Sequence, residues 1–410
     1  MSTASSSPTS HLRRAFLGGG LLALCLVATV GCGGVGYFLD QGNYNQGHRA
    51  YEQGDCATAI GYFNRVIEGW RLIDFGGYVP RALREKQECL TFQPAVEKQI
   101  AGDASGAVVA YDDFVRSYAT SPLAAEARRR VGAMFAQADP ATLISREVCD
   151  RLESLLAHEL IPQPDQTLPL LFLACGQVYT ADGNPRTAYD LYFTFMTDYP
   201  DHPLVAGAEA ALLANPVACE NVSALESNAV IAGWPDFLPS LYYNCGQAYE
   251  QLQDYAEAIR MYETFLSKYA EHRLAGEAQA ALARSLVADA RASGAPEITM
   301  PERSGSTGNA SAVVVIQNDA PEQMKIVFSG PEGRIEKLEA CTACTKYFEV
   351  GPAFCPEKGP IGRYVLQPGE YGVRVEAIDN ERVKPFVGTW QLGEGSEYSY
   401  CFFIVTTLGP

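Results

Sequence analysis

The sequence predicts a mainly α-helical repeat solenoid followed by a smaller all-β, sandwich-like domain. Two observations carry this prediction. Between about residues 170 and 281 the chain nearly copies itself at an offset of 70 residues (245 − 175), and repetition at such a period is typical of solenoids. After residue 310 the apolar period changes from helical to two, as in strands. We expect a leader over 1–44, helical repeats over 45–293, a linker over 294–310 and a β domain over 311–410.

The composition excludes some classes of partner. The 410 residues carry a formal net charge of −17, whereas nucleic-acid binding needs a basic surface. Five histidines leave little for acid–base or zinc chemistry, and twelve cysteines are many for a reduced compartment. We therefore expect no nucleic-acid partner, no docking on anionic lipid headgroups and a body in an oxidising compartment.

The N-terminal 44 residues read as a cytoplasmic tail and a membrane segment. Arg13 and Arg14 precede Ala15–Leu39, a run of 25 residues without charge. At about 1.5 Å per residue such a helix is long enough to cross a bilayer. Positive charge on its N-terminal side predicts a cytoplasmic N-terminus. We expect a single-pass signal anchor in the cell membrane, with the body extracytoplasmic.

Two other interpretations of this segment stay open. Thr29-Val30-Gly31-Cys32 is similar to a lipoprotein signal, in which Cys32 would carry the lipid, although Thr29 stands where leucine is preferred. Arg13-Arg14 is similar to a twin-arginine export signal, although Leu12 stands where Ser or Thr is expected. A signal peptide of either kind also exports the body.

The copies at an offset of 70 share cysteine, glycine and aromatic positions. Cys175 and Gly176 recur as Cys245 and Gly246, and a third, weaker copy lies 81 residues before the first. Inside each copy the apolar residues follow a helical stripe. The stripe of the last copy consists of Ala258, Ile259, Tyr262, Phe265 and Leu266. Gly102-Asp103, Gly183-Asn184 and Gln253-Asp254 precede such stripes and predict tight turns between helices.

The copies resemble the tetratricopeptide repeat. That family has characteristic glycine, aromatic, alanine, aromatic and proline positions. They are filled in order by Gly176, Tyr179, Ala188, Tyr192 and Pro200, and then by Gly246, Tyr249, Ala258 and Tyr262, with Ala270 in place of the proline. The resemblance covers roughly Asn43–Ser293, with degenerate hairpins expected over 123–160 and 203–238.

The resemblance implies a groove that binds other proteins. In tetratricopeptide proteins the first helix of each repeat lines the concave surface. The positions carried over to this chain are Leu173, Gln177 and Thr180 in one copy and Tyr243, Gln247 and Glu250 in the next. Because amides both donate and accept hydrogen bonds, the paired glutamines suit the backbone of an extended peptide. The alternative interpretation is that these glutamines are only solvated polar residues on the outer face of the helix.

Spacing also predicts disulfides between helices. Cys149 precedes Cys175 by 26 residues, as Cys219 precedes Cys245. A Pro-containing turn midway between the two cysteines of each pair places them side by side on two antiparallel helices. That separation suits a disulfide. Cys56 and Cys89 form a similar, less regular pair. The alternative is that these are free thiols in the core.

Short strands are expected at 313–317, 325–329, 363–367, 371–375 and 400–405. The Leu366–Tyr371 turn and the residues after it resemble small β-sandwiches of the carboxypeptidase-regulatory or PEGA type. Cys341, Cys344, Cys355 and Cys401 all lie here. Cys341 and Cys344 form a zinc half-site by spacing, but a second half-site is missing, since Cys355 and Cys401 are 46 residues apart. We expect two disulfides of open connectivity and no metal.

No catalytic motif emerges, so we expect a protein that is not an enzyme and needs no cofactor. The function predicted is a membrane-anchored scaffold that mediates protein–protein interactions during envelope complex assembly. The alternative is accessory binding of a glycan or cell-wall ligand through the β domain.

Overall fold

Helices come first along the chain and strands follow, which confirms the predicted fold class. The computed structural model describes residues 37–406, apart from 70–73, 75, 138–139, 379 and 381. Helix α1 covers residues 37–52. The other helices are α2 Cys56–Glu68, α3 Tyr78–Ile100, α4 Ala104–Ser117, α5 Pro122–Gln137, α6 Pro140–Leu143, α7 Arg146–Asp150, α8 Leu152–Ala157, α9 Pro164–Ala181, α10 Pro185–Asp198, α11 Val205–Leu213, α12 Pro216–Glu220, α13 Val222–Ser227, α14 Ala229–Ala232, α15 Phe237–Gln251, α16 Tyr255–Lys268 and α17 Ala275–Ala292.

The strands follow α17. They are β1 Glu302–Ser306, β2 Ala312–Asn318, β3 Met324–Ser329, β4 Gly333–Leu338, β5 Tyr347–Phe348, β6 Ile361–Leu366, β7 Gly369–Ala377, β8 Phe386–Leu392, β9 Ser396–Phe402 and β10 Val405–Thr406. The chain divides into two compact units with the boundary between Phe195 and Met196. The second unit therefore holds both the last repeat helices and the β domain.

Most of the predicted membrane segment lies outside the described residues. Residues 15–36, with Cys32 among them, are not described, and Tyr37–Leu39 form the start of α1. Among the helices that are described, none combines the length and the apolarity that a membrane span needs.

The tight turns predicted inside the repeats share one local design. Gly183 has a φ of +71° and Gln253 a φ of +61°, the left-handed conformation that ends a helix. The next residue then caps the following helix: Asn184 Oδ1 accepts a hydrogen bond from the backbone N–H of Thr187 (3.2 Å), and Asp254 Oδ1 accepts one from Glu257 (3.3 Å). A left-handed residue followed by Asn or Asp thus reverses the chain between paired helices.

The segment between the two well-formed copies is not one helical hairpin. The expected hairpin over 203–238 consists instead of four short helices, α11 to α14. Pro216 lacks a backbone N–H and begins a new helix, and Asn215 Oδ1 accepts a hydrogen bond from Val217 N at 2.9 Å. Asn228 caps α14 in the same way, bonding to the backbone N–H groups of Val230 and Ile231. Capping by Asn215 and Asn228 therefore starts new helices inside a segment for which the repeat pattern predicts one helical hairpin.

The β domain is a sandwich of two four-stranded sheets. The first sheet has the order β1-β9-β2-β6 and the second the order β4-β3-β7-β8, and a short pair joins β10 to β5. Buried side chains of both sheets form one core, which includes Val314 and Tyr364 from the first and Phe328, Tyr371 and Trp390 from the second. The strands predicted at 313–317, 325–329, 363–367 and 371–375 correspond to β2, β3, β6 and β7, whereas the segment predicted at 400–405 is divided between the end of β9 and the start of β10. The sequence predicts none of β1, β4, β5 and β8.

The segment predicted as a linker contributes to the sandwich. Within 294–310, Glu302–Ser306 pair with β9 in an antiparallel arrangement. Ile298 is buried, and its backbone N–H donates to Val387 O at 2.9 Å. The Trp390 indole N–H donates to Thr299 O at 2.9 Å. The Gly, Ser and Pro content predicts a linker, but an edge strand needs few apolar side chains of its own.

Helix α17 covers the outer face of the second sheet. Gly333 on β4 lies against the backbone of Ala280, and Gly372 on β7 lies against the side chain of Val287, so neither position has room for a Cβ. Val327 on the central strand β3 is fully buried although it points away from the sandwich core. The last repeat helix and the β domain thus share a packed interface inside the second unit.

Candidate functional site

The candidate groove residues of the first unit lie on helix α9. Leu173 is half-buried, whereas Gln177 and Thr180 are exposed. The Thr180 hydroxyl donates to Gly176 O at 2.8 Å and lies 3.2 Å from the Tyr192 hydroxyl. Gln177 is therefore the polar residue of this set whose amide faces solvent.

The candidate residues of the second unit lie on α15 and are all half-buried. Gln247 Nε2 donates to the Tyr243 hydroxyl at 3.0 Å. Glu250 accepts from the Tyr262 hydroxyl at 3.2 Å, and both Nε and Nη2 of Arg284 reach its carboxylate at 3.2 Å. Burial raises the pKa of Tyr262, and the Glu250 charge raises it further. The Tyr262 hydroxyl thus remains a donor at neutral pH.

Equivalent positions in the two copies make the same internal contact. Thr180 and Glu250 each bond to the aromatic residue twelve positions later, Tyr192 and Tyr262. That contact ties the two helices of a repeat together. The motif count alone does not show it. Gln177, whose amide faces solvent, and Gln247, whose Nε2 donates to Tyr243 on its own helix, remain as candidates for contact with a partner.

Three pairs of helical cysteines lie at disulfide distance. Cys149 on α7 pairs with Cys175 on α9, and Cys219 on α12 pairs with Cys245 on α15. Their Cα atoms are 5.5 Å and 5.4 Å apart, inside the usual range. Cys56 and Cys89 join α2 to α3 with a Cα separation of 5.1 Å. These are the three pairs that the spacing predicts. The upstream partners at 149 and 219 lie on helices of five residues rather than on long antiparallel ones.

The β domain holds one of the three possible connectivities. Cys341 pairs with Cys344, and Cys355 on the loop before β6 pairs with Cys401 on β9. The second pair fastens that loop to the outer face of the first sheet. We call the segment 349–360 the cleft loop.

A cleft of about 580 Å³ lies between the cleft loop and the first sheet. Its floor includes Val315 and Gln317 of β2 beside Ser399 and Cys401 of β9, which are direct neighbours in the parallel register. Three aromatic rings line it, from Phe354, Tyr400 and Phe403, together with the carboxylates Glu302 and Glu357, and its described lining includes no lysine or arginine. Phe354 is 86% exposed. The sequence did not indicate this cleft, because its walls are far apart along the chain.

A serine, a histidine and an aspartate meet in the first unit, but not as a catalytic triad. His158 Nδ1 lies 2.8 Å from Asp112 Oδ1, as a triad requires. The Ser154 hydroxyl, however, donates to Asp112 at 2.8 Å and lies 3.4 Å from the same His158 nitrogen. A triad serine bonds to the opposite ring nitrogen. The cluster anchors a buried carboxylate and does not activate a nucleophile.

Asp112 is expected to make the stability of the first unit pH-dependent. It is fully buried, and burial opposes its ionisation. Hydrogen bonds from His158, Ser154 and Arg151, with the Arg116 charge, nevertheless hold its pKa below the usual value of 3.8. A depressed pKa stabilises the fold above the unfolded pKa, and this stabilisation is lost as pH falls through the folded pKa. The loss therefore occurs below about pH 4.

The measurement is urea unfolding of the wild type and of Asp112→Asn at pH 7 and at pH 3. We expect Asp112→Asn to unfold about 2–3 kcal/mol more easily at pH 7, because it loses charge-assisted hydrogen bonds, and the difference to shrink at pH 3. The neighbouring Asp113 is the matched control, since its side chain is 52% exposed, and Asp113→Asn should change stability by less than about 1 kcal/mol. An undiminished difference at pH 3 would contradict this account.

One segment of the chain matches a known family. Residues 241–271, which include most of α15 and all of α16, match the tetratricopeptide repeat model. No curated protein matches the chain. Among solved structures, the crystal structure of the P58(IPK) TPR domain is 15% identical over 62% of this chain and 73% of that chain, with a TM-score of 0.23. At that TM-score the likeness does not bear on the fold. The family match by itself shows that this protein contains a tetratricopeptide repeat at 241–271.

Proposed function

We propose that this chain is a membrane-tethered, extracytoplasmic scaffold that holds other proteins together during envelope complex assembly. The observation that carries the proposal is the tetratricopeptide repeat at 241–271, since such repeats present long surfaces for protein contact. Gln177 and Gln247 offer amides at equivalent positions of two copies. The proposal includes no catalytic activity.

The sequence and the paired cysteines support the extracytoplasmic location. Arg13 and Arg14 precede 25 residues without charge, the order expected when the N-terminus stays in the cytoplasm. Among the residues that the structure describes, five cysteine pairs lie at disulfide distance. Such pairs persist in oxidising compartments and are rare in reducing ones.

The test of the scaffold is capture of protein partners from detergent-solubilised membranes by the wild type and by the double variant Gln177→Ala, Gln247→Ala. We expect the variant to bind its partner at least tenfold more weakly, because interface side chains that matter contribute more than about 1 kcal/mol each. Binding constants are measured by titration of the recovered partner.

The matched control is Gln166→Ala with Gln251→Ala. These glutamines lie on the same two helices, α9 and α15, and are exposed. The control should bind as the wild type does, and both double variants should keep the wild-type far-ultraviolet circular dichroism. Unchanged partner binding by the Gln177 and Gln247 variant would mean that these residues are only solvated surface.

The second candidate function is binding of a glycan or cell-wall ligand in the cleft of the β domain. The cleft favours it because aromatic rings and a few polar groups are the usual lining of ligand sites, and Phe354 presents its ring to solvent. The same capture experiment separates the two functions. Retention on immobilised cell-wall glycan that is lost in Phe354→Ser, with no protein recovered, would favour the second.

A further inference from the structure

The cleft of the β domain carries negative charge on two of its walls. Glu302 on the edge strand β1 and Glu357 on the cleft loop both line it, and both are exposed. In the described part of the chain, no residue forms an ion pair with either carboxylate. Because the described lining includes neither lysine nor arginine, the two charges face the cleft without a cation.

The basic residues near the cleft do not supply that cation. Arg303 and Lys358 directly follow the two glutamates in sequence, but neither is part of the lining. Arg303 lies on a strand, where successive side chains point to opposite faces. Arg363 lies opposite Val315 of the cleft floor, but its Nη2 donates to Glu397 at 2.8 Å. The charge of the two cleft glutamates is therefore available to a ligand.

Aromatic rings favour the same kind of ligand. Phe354, Tyr400 and Phe403 line the cleft beside the two carboxylates. The face of an aromatic ring carries partial negative charge and attracts the cationic group of lysine or arginine. These two side chains also have apolar stems that pack on rings. A neutral glycan would use the rings but would leave both carboxylates without a partner, so the lining is better matched to a basic side chain.

The wall formed by the cleft loop is fixed without a ligand. The disulfide between Cys355 and Cys401 fastens it to β9. The buried Asp319 carboxylate accepts hydrogen bonds from the backbone N–H groups of Glu357 and of the two residues after it, at 3.1, 2.8 and 2.7 Å. With these bonds Glu357 keeps a φ of +55°, a conformation uncommon for residues other than glycine. A wall that is already ordered loses little conformational entropy on binding.

We propose that this cleft binds a lysine or arginine side chain on a basic segment of a partner protein. The cleft volume of about 580 Å³ is within the usual range for a ligand site. A cation that enters meets Glu302 on one wall and Glu357 on another, with aromatic rings beside them. That the ligand belongs to a protein rests on the scaffold function proposed above. The cleft is then a second contact with partners, separate from Gln177 and Gln247 of the repeats.

The test is titration of the full-length chain, by fluorescence anisotropy, with three short labelled peptides in which glycine alternates with lysine, glutamine or glutamate. We expect the lysine peptide to bind about tenfold more tightly than the other two, and its binding to weaken as salt is added. Glu302→Gln with Glu357→Gln should weaken it about tenfold, because each exposed ion pair contributes a factor of up to about five. Phe354→Leu keeps an apolar side chain without the ring and should weaken it about two- to fivefold.

Glu370→Gln with Glu394→Gln is the matched control. Both residues are exposed in the β domain and outside the cleft lining, and the double variant removes the same charge as the cleft variant. It should bind the lysine peptide within about twofold of the wild type, because separated exposed charges are largely screened. An equal loss in the two double variants would overturn the proposal, since the net charge of the protein would then be what attracts the peptide.

The wild type alone also decides the question, so a misfolded variant does not prevent an answer. Equal affinity for the lysine and glutamine peptides would overturn the proposal. So would retention on cell-wall glycan by a chain that does not bind the lysine peptide. The variant Gln177→Ala, Gln247→Ala should bind this peptide as the wild type does. If partners are captured through those glutamines but the lysine peptide is not bound, the cleft proposal alone fails and the scaffold function stands.

Discussion

Gly246→Ala is expected to destabilise the second unit by about 1–3 kcal/mol, although alanine is the better helix former by about 1 kcal/mol. Gly246 lies on α15 where it crosses α16. A Cβ built there would meet three atoms of the Tyr262 ring within 2.8 Å. Tyr262 is fully buried and its hydroxyl donates to Glu250. The ring therefore has no free space into which to move.

The same geometry recurs in the first unit. A Cβ at Gly176 would meet three atoms of the Tyr192 ring within 2.8 Å, and Tyr192 is also buried. We expect Gly176→Ala to destabilise the first unit by a similar amount. The glycine of the repeat is thus required by the aromatic residue sixteen positions later, whose ring occupies the place of its side chain.

Urea unfolding of each variant checks this prediction. Gly276→Ala is the control, because nothing lies within 4 Å of a Cβ at Gly276 on α17, and it should stabilise by up to about 1 kcal/mol. In the double variant Gly246→Ala, Tyr262→Leu the smaller side chain should recover part of the steric loss, giving a favourable coupling energy. A Gly246→Ala protein as stable as Gly276→Ala would show that the helices separate without cost.

Local sequence was sufficient for the helices and turns of the repeats. The left-handed residue and its capping neighbour at Gly183-Asn184 and Gln253-Asp254 are encoded in adjacent positions, so a single sequence predicts them. Strand β1 differs. Its residues are exposed. The strand forms because it pairs with β9, and the paired residues lie 90 to 97 positions later in the chain. Likewise, the short helices of 205–232 depend on capping by Asn215 and Asn228. The repeat period does not predict these caps, because it gives only the expected positions of the two helices of a repeat.

The sequence likewise predicts some of the candidate site residues but not their contacts. Gln177 and Gln247 were found because they repeat, and Thr180 and Glu250 were found by the same count. Only the packed helices show that the last two bond within their own repeats. The complete burial of Asp319, directly after β2, could not be predicted, because nothing local distinguishes one aspartate after a strand from another. Its burial results from the pairing of β2 with β9.

Arg374→Met is expected to lower the stability of the second unit by about 2–4 kcal/mol. Arg374 lies on β7 at the outer face of the second sheet, covered by α17, and is 9% exposed. Its Nη1 donates to Leu286 O at 2.9 Å and lies 3.3 Å from Asp289 Oδ2, and its Nη2 donates to Glu376 Oε2 at 2.7 Å. Methionine keeps most of the length and removes the charge.

The expected loss arises mainly from the partner that remains. Burial opposes ionisation of Glu376, and Lys325 and Arg374 together hold its pKa below the usual range. Removal of one partner from a buried pair costs about 3–5 kcal/mol because the other charge stays buried. Lys325 Nζ still lies 2.7 Å from Glu376 Oε1, and the Glu376 side chain is 19% exposed. The expected loss is therefore smaller than that for a fully unpaired buried charge, at about 2–4 kcal/mol.

Unfolding in urea, followed by the fluorescence of the core residue Trp390, measures the loss. Arg363→Met is the matched control: its ion pair with Glu397 is as short, at 2.8 Å, but its side chain is 55% exposed, so the change should stay within about 1 kcal/mol. Arg374→Met with Glu376→Leu removes both charges and should recover most of the stability, since an apolar pair at such a site is often as stable as the ionic one. If the double variant is as unstable as Arg374→Met alone, the bond to Leu286 and Asp289 of α17, rather than the charge of Glu376, is what Arg374 contributes.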